Sequence, residues 1–210
     1  MEPSSPLPPS LPPALPPGRL YRFAWGLYLV LALAGVIWIG VQRGKIPLSL
    51  FFDRDRWWLD LGLGAGAGLL LLGAWWAAER TFPLARELEG RLAGALGPIT
   101  PSEAFALALL SGFAEELFFR GAVQGTVGWA AATVLFGLLH SGPGKAFRLW
   151  TLFAIVAGAL LGGIMVWRGN LLGPVVGHFV VNAVNLRRLA GRMEDSVRLT
   201  PGEARSEKES

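Results

Sequence analysis

Apolar positions in this chain gather into long runs broken by short basic connectors. Residues 23–41 are 19 positions without a charge, close to what a helix rising about 1.5 Å per residue needs to cross a hydrocarbon core about 30 Å thick. A polar connector over 42–60 carries Arg43, Lys45, Arg54 and Arg56 and leads through Trp57-Trp58, an interfacial aromatic pair, into a second apolar run at 61–78. Four more runs follow, at 104–123, 126–139, 149–167 and 169–186. Together they predict an all-α integral membrane protein with about six transmembrane helices.

Between the second and third runs the pattern changes. Over 79–98, Leu84, Leu88, Leu92 and Leu96 recur every four residues among Arg86, Glu87, Glu89 and Arg91, which predicts an amphipathic helix lying on the membrane surface. Thr100-Pro101-Ser102-Glu103 then reads as a helix start, with a hydroxyl cap, Pro in the first turn and Glu at the third position. The chain divides into a Pro-rich, disordered tail over 1–19, two transmembrane helices plus the amphipathic helix over 20–98, a helical core over 99–190 and a polar C-terminal tail over 191–210. The first apolar run lacks a small-residue cleavage site, so it is expected to stay as an anchor.

Composition narrows the chemistry. Charged residues make up 16% of the chain, against about 25% in ordinary soluble domains, which argues against a water-soluble globule. The absence of Cys excludes disulfides, zinc–thiolate sites and a thiol nucleophile. The net charge of +4 comes from basic residues flanking the apolar runs, which fits anionic lipid as partner and not nucleic acid. An arrangement with cytoplasmic N- and C-termini places 13 of the 19 Lys and Arg on the cytoplasmic side, as the positive-inside rule favours.

Ionisable groups inside the runs need a reason, since each costs about 2.5–3.5 kcal/mol on insertion scales. Glu115, Glu116 and Arg120 share one apolar run. At about 100° per residue, Glu116 and Arg120 fall on one helix face and can pair, whereas Glu115 points about 140° away from Arg120. That leaves Glu115 as the candidate general base. The two histidines also lie in apolar segments: His140 one turn after Phe136, and His178 on one face with Asn182 and Asn185. Two carboxylates, two imidazoles and an amide suit water activation and oxyanion stabilisation. The same His and Glu groups could instead ligate zinc, and interhelical hydrogen bonding alone would also account for the polar stripe.

Three motifs resemble those of the CPBP family (CAAX proteases and bacteriocin-processing proteins, also called Abi). Glu115-Glu116-Leu117-Phe118-Phe119-Arg120 resembles its Glu-Glu-x-x-x-Arg motif, Phe136 to His140 its Phe-x-x-x-His motif, and His178 to Asn182 its His-x-x-x-Asn motif. The resemblance covers about residues 99–190 and implies a four-helix catalytic core and an intramembrane endopeptidase, related to the eukaryotic enzyme that trims prenylated CAAX proteins. By it, Glu115 and His140 would activate water, and His178 and Asn182 would stabilise the oxyanion. Glu116, Arg120, Phe136 and Asn185 would support the site. The resemblance implies no cofactor. Were a metal used, Glu115, His140 and His178 would be its ligands.

The expected partner is a membrane-associated protein or peptide, prenylated or bearing a C-terminal sorting tail, and the expected location a bacterial plasma membrane. Two competing readings remain at this stage. One is a non-catalytic immunity or scaffold protein that binds a partner peptide, and the other is a transporter, which the absence of an internal repeat disfavours.

Overall fold

The computed structural model describes residues 19–96 and 99–199, and every regular element among them is helical. The Pro-rich tail up to residue 18 and the last part of the polar tail, 200–210, lie outside the described residues. Three helices are long and apolar enough to cross a membrane: α1 (Arg19–Arg43), α2 (Trp57–Thr81) and α7 (Lys145–Arg168). Exposed Phe23, Val30, Leu33 and Val41 on α1 present an apolar outer surface suited to lipid.

The remaining elements build the interior. Helix α4 (Pro101–Glu116) starts where the capping box predicts, with Thr100 and Glu103 each satisfying the other's backbone N–H. It runs on through a π-helical stretch (Leu117–Val123) into α5 (Gln124–Val127). Gly128 then takes φ +82, a left-handed conformation that glycine adopts without strain, and breaks the chain. The apolar run at 126–139 is therefore divided: its first two residues finish α5, and α6 (Trp129–Leu139) has 11 residues. At about 1.5 Å per residue, α6 reaches only about half the thickness of a hydrocarbon core. Helix α8 (Leu172–Leu199) is the last.

Glycines set the helix spacing. A Cβ on Gly64 would lie 2.3 Å from the Gly173 carbonyl oxygen, and one on Gly68 would lie 2.8 Å from that of Gly177, so α2 and α8 cross backbone to backbone. Gly112 brings α4 onto the opposite side of α8, where its Cβ would be 3.2 Å from the Phe179 nitrogen. Helix α8 is thus wedged between α2 and α4.

Two expectations are corrected. Helix α3 (Pro83–Leu96) does not lie free on a surface: Ala85 and Leu88 are fully buried with Trp75 and Ala146. The four-residue leucine spacing marked an apolar face, and that face is covered by protein. Asp60, assigned to the polar connector, is instead in the first turn of α2 and fully buried. Arg168 Nε and Asn170 Nδ2 donate to its two carboxylate oxygens, which compensates its removal from water. The C-terminal tail is still helical as far as Leu199, and just before it Arg188 on α8 pairs with Glu79 at 2.8 Å. In the connector, Asp53 accepts the Asp55 backbone N–H and a hydrogen bond from Arg168, and these hold its carboxyl below the usual range.

The crossing of α2 and α8 carries a test. Gly64→Ala would drive a methyl group into a backbone carbonyl that cannot turn aside, at a cost of about 1–3 kcal/mol or more. Gly62→Ala and Gly66→Ala, on the same helix but facing open space, are expected to leave stability unchanged or raise it slightly. Thermal unfolding of the three variants in detergent checks this, and equal behaviour of all three would refute the close crossing.

Candidate active site

The end of α4 places Glu115 and Glu116 side by side but facing different surroundings. Glu116 has no solvent exposure, whereas the Glu115 side chain keeps 10% and reaches a cavity. Glu116 Oε1 lies 3.0 Å from Arg120 Nη1 and 2.7 Å from His178 Nδ1. The i, i+4 pairing read from the sequence is present, and an imidazole from α8 joins it. The Arg120 guanidinium also sits over the Phe136 ring, 4.3 Å from its centroid, so one of its faces meets an aromatic face.

Glu115 faces both histidines. Its Oε2 is 3.7 Å from His140 Nε2 and 4.0 Å from His178 Nε2. The other ring nitrogens are already committed. His140 Nδ1 lies 2.8 Å from the Phe136 carbonyl oxygen, which can only accept, so Nδ1 carries a proton and donates it. His178 Nδ1 likewise donates to Glu116. Each imidazole therefore presents Nε2 to the cavity. His140 caps the C-terminus of α6, its own N–H bonded back to Gly137, and its ring packs at a tilt against Phe136, with centroids 4.4 Å apart.

Asn182 lies one turn beyond His178 on α8. Its Nδ2 donates to Ser111 Oγ at 2.9 Å, which fixes the amide orientation and leaves a second N–H. Ser111 was not singled out in the sequence, although it sits one turn before Glu115 on the same helix face, and that spacing could have marked it. Asn185 also lines the cavity. The cavity holds about 350 Å³ and is walled mainly by apolar groups, among them Leu71, Trp75, Trp150, Phe153 and Leu161. Tyr28 of α1 also reaches it and was likewise missed.

The site residues do not form a compact metal cage. Two ligands about 2.0–2.2 Å from a tetrahedral zinc lie roughly 3.4 Å apart, closer than the 3.7 and 4.0 Å seen between Glu115 and the imidazoles. Among the described residues, no group of three His, Asp or Glu is placed to hold an ion.

Arg120→Ala is expected to leave the buried Glu116 charge without its guanidinium and to cost about 3–5 kcal/mol. Chemical unfolding of the purified variant measures this, and parental stability would show that the ion pair contributes nothing to the fold.

The family comparison falls on the same residues. Residues 98–184 match the family model described as type II CAAX prenyl endopeptidase Rce1-like. A Bacillus subtilis (strain 168) protein described as "Uncharacterized protein YpbD" is 40% identical over 80 residues, which is 37% of this chain and 41% of that protein. The match thus spans less than half the length of that relative. No solved structure matches the chain significantly. Glu115, Glu116, Arg120, Phe136, His140, His178 and Asn182 all lie inside the matched segment, and Asn185 falls one residue beyond it. Through residues 98–184, the chain is similar to the Rce1-like CAAX prenyl endopeptidases.

Proposed function

We propose that this chain is an intramembrane endopeptidase that hydrolyses a peptide bond in a membrane-associated protein or peptide. The observation that carries this reading is the convergence of Glu115 Oε2 with the Nε2 atoms of His140 and His178 at the wall of an apolar cavity. Neutral His140 presents an unprotonated Nε2, and Glu115 presents a carboxylate oxygen. Two acceptors 3.7 Å apart are suitably placed to share a water molecule that donates a proton to each. As that water attacks the scissile carbonyl carbon, its proton passes to this pair, which then returns it to the departing amine.

The oxyanion requires donors. Asn182 keeps one free N–H beyond its bond to Ser111. His178 donates from Nε2 when both ring nitrogens carry protons, a state that also balances charge: with Arg120 and a cationic imidazole, two cations meet two carboxylates. Glu116 has no exposure, so its part is to hold His178 and Arg120, not to touch substrate.

The apolar cavity suits a hydrophobic substrate segment, and we infer a prenylated protein or a C-terminal sorting tail as the substrate class. We place the protein in a bacterial plasma membrane with both termini cytoplasmic. In this reading the reaction needs no metal.

Membrane-protein termini compared between cells carrying the native chain and cells carrying Glu115→Ala, at matched expression, test the activity and reveal the substrate together. Termini that depend on Glu115 are expected. An identical set, with the variant still complementing a deletion, would favour a non-catalytic protein that binds a partner peptide.

With the substrate in hand, Glu115→Ala and His140→Ala are each expected to lower kcat about 10²–10⁴-fold, and Asn182→Ala about 10²–10³-fold. Activity is expected to survive prolonged chelation. Loss on chelation with recovery on adding zinc would replace the metal-free mechanism.

A further inference from the structure

Helix α1 lies wholly outside the segment that matches the family, yet one stripe of it lies along the catalytic helix. Ala32, Gly35, Ile39 and Gln42 succeed one another at helical spacing. Ala32 packs on the cluster containing Leu117. A Cβ on Gly35 would lie 3.2 Å from the Phe118 backbone, Ile39 is fully buried against Leu117 and Ala122, and Gln42 Nε2 donates to the Ala122 carbonyl at 3.1 Å. Contacts advance together along both chains, so α1 runs parallel to α4. One turn before Ala32 on the same stripe is Tyr28, which lines the same cavity as Glu115.

Tyr28 carries the only hydroxyl in the apolar stretch of α1. In a helix otherwise dedicated to lipid and packing contacts, a hydroxyl-bearing ring in the wall of a cavity that also holds an ionisable group is chemically distinctive. Glu115 Oε2 has no hydrogen-bond partner among the described side chains, and a carboxylate with no fixed donor is free to rotate about its last bonds. A donated hydrogen bond fixes that rotation.

We propose that Tyr28 is a positioning residue for the reaction: its hydroxyl donates to the Glu115 carboxylate and holds Oε2 toward Nε2 of His140 and His178, so that the first helix completes a site otherwise built from residues 98–184. This inference rests on the protease reading for the role of Glu115. The contact itself can be tested without any substrate.

The chain has two tyrosines, Tyr21 and Tyr28. Uniform 3-fluorotyrosine labelling of a Tyr21→Phe protein therefore gives a single fluorine resonance, from position 28. That resonance is expected to shift on Glu115→Gln and to stay in place on Asp53→Asn, a change in the distant connector. A resonance indifferent to Glu115→Gln would overturn the contact.

Tyr28→Phe keeps the ring that lines the cavity and removes the hydroxyl. Loss of one hydrogen bond to a charged group is expected to lower kcat about ten- to a hundredfold, with KM unchanged and the melting temperature close to the parent's. An unchanged kcat, or a raised KM alone, would overturn the positioning role. A drop in kcat matched by a lower melting temperature, and restored when a stabilising lipid returns the parental melting point, would assign Tyr28 to packing and overturn it equally. A responsive resonance in a native protein that cleaves nothing would instead refute the protease reading and, with it, the catalytic consequence of the contact.

Discussion

The Glu116 carboxylate, with no exposure to solvent, meets Arg120 from its own helix and His178 from α8, and the rest of the interior is arranged around that meeting. A buried carboxylate without partners is too costly to retain, while a paired one is tolerated only when the partners come within hydrogen-bond reach. Arg120 comes within reach because it lies one turn on. His178 does so only if α8 approaches α4 closely, and Gly112 lets it by leaving room for the Phe179 backbone. On the other side of α8, the crossing of Gly64 and Gly68 with Gly173 and Gly177 keeps that helix from moving away. Ion pair and glycine contacts thus depend on each other.

The same turn of helix separates two duties between adjacent residues. A rotation of about 100° per residue directs Glu116 into the protein and Glu115 into the cavity. One carboxylate meets a buried guanidinium and an imidazole through its Oε1. Its neighbour faces the Nε2 atoms of two imidazoles, at distances that leave room for a reactant. His178 touches both, with Nδ1 on Glu116 and Nε2 toward Glu115, so the structural network fixes the orientation of a group in the candidate site.

Relations confined to a single helix were legible in the sequence. The pairing of Glu116 with Arg120, the exclusion of Glu115 from it, the capping box at Thr100 and the shared face of His178 and Asn182 all derive from local periodicity, and the geometry agrees with each. The failures concern what covers a face. The leucines of α3 announced an apolar side, but periodicity does not say whether lipid or protein meets it, and here Leu88 is buried by protein. Asp60 was assigned to the polar connector, and its burial was not legible there. Its partners, Arg168 and Asn170, lie more than a hundred positions away, at a turn no local pattern links to it. Ser111 and Tyr28 were missed for the same reason, since one looks like an ordinary small helix residue and the other like an interfacial aromatic.

Chemistry and access come from different parts of the chain. Glu115, both imidazoles and the Asn182 amide, which converge on the cavity, all lie within 98–184, the segment shared with the family. A large share of the cavity wall comes from elsewhere: Tyr28 from α1, Leu71 and Trp75 from α2, and Leu92 and Leu96 from α3. Helix α3 is held in place by its buried face and by Arg188, which reaches from α8 to Glu79 at the end of α2 and lies 3.5 Å from Glu89 on α3. A relative sharing only the matched segment would therefore have the candidate site groups without these walls. Where two such proteins differ in the first three helices, what the cavity admits is expected to differ while the candidate site groups stay the same.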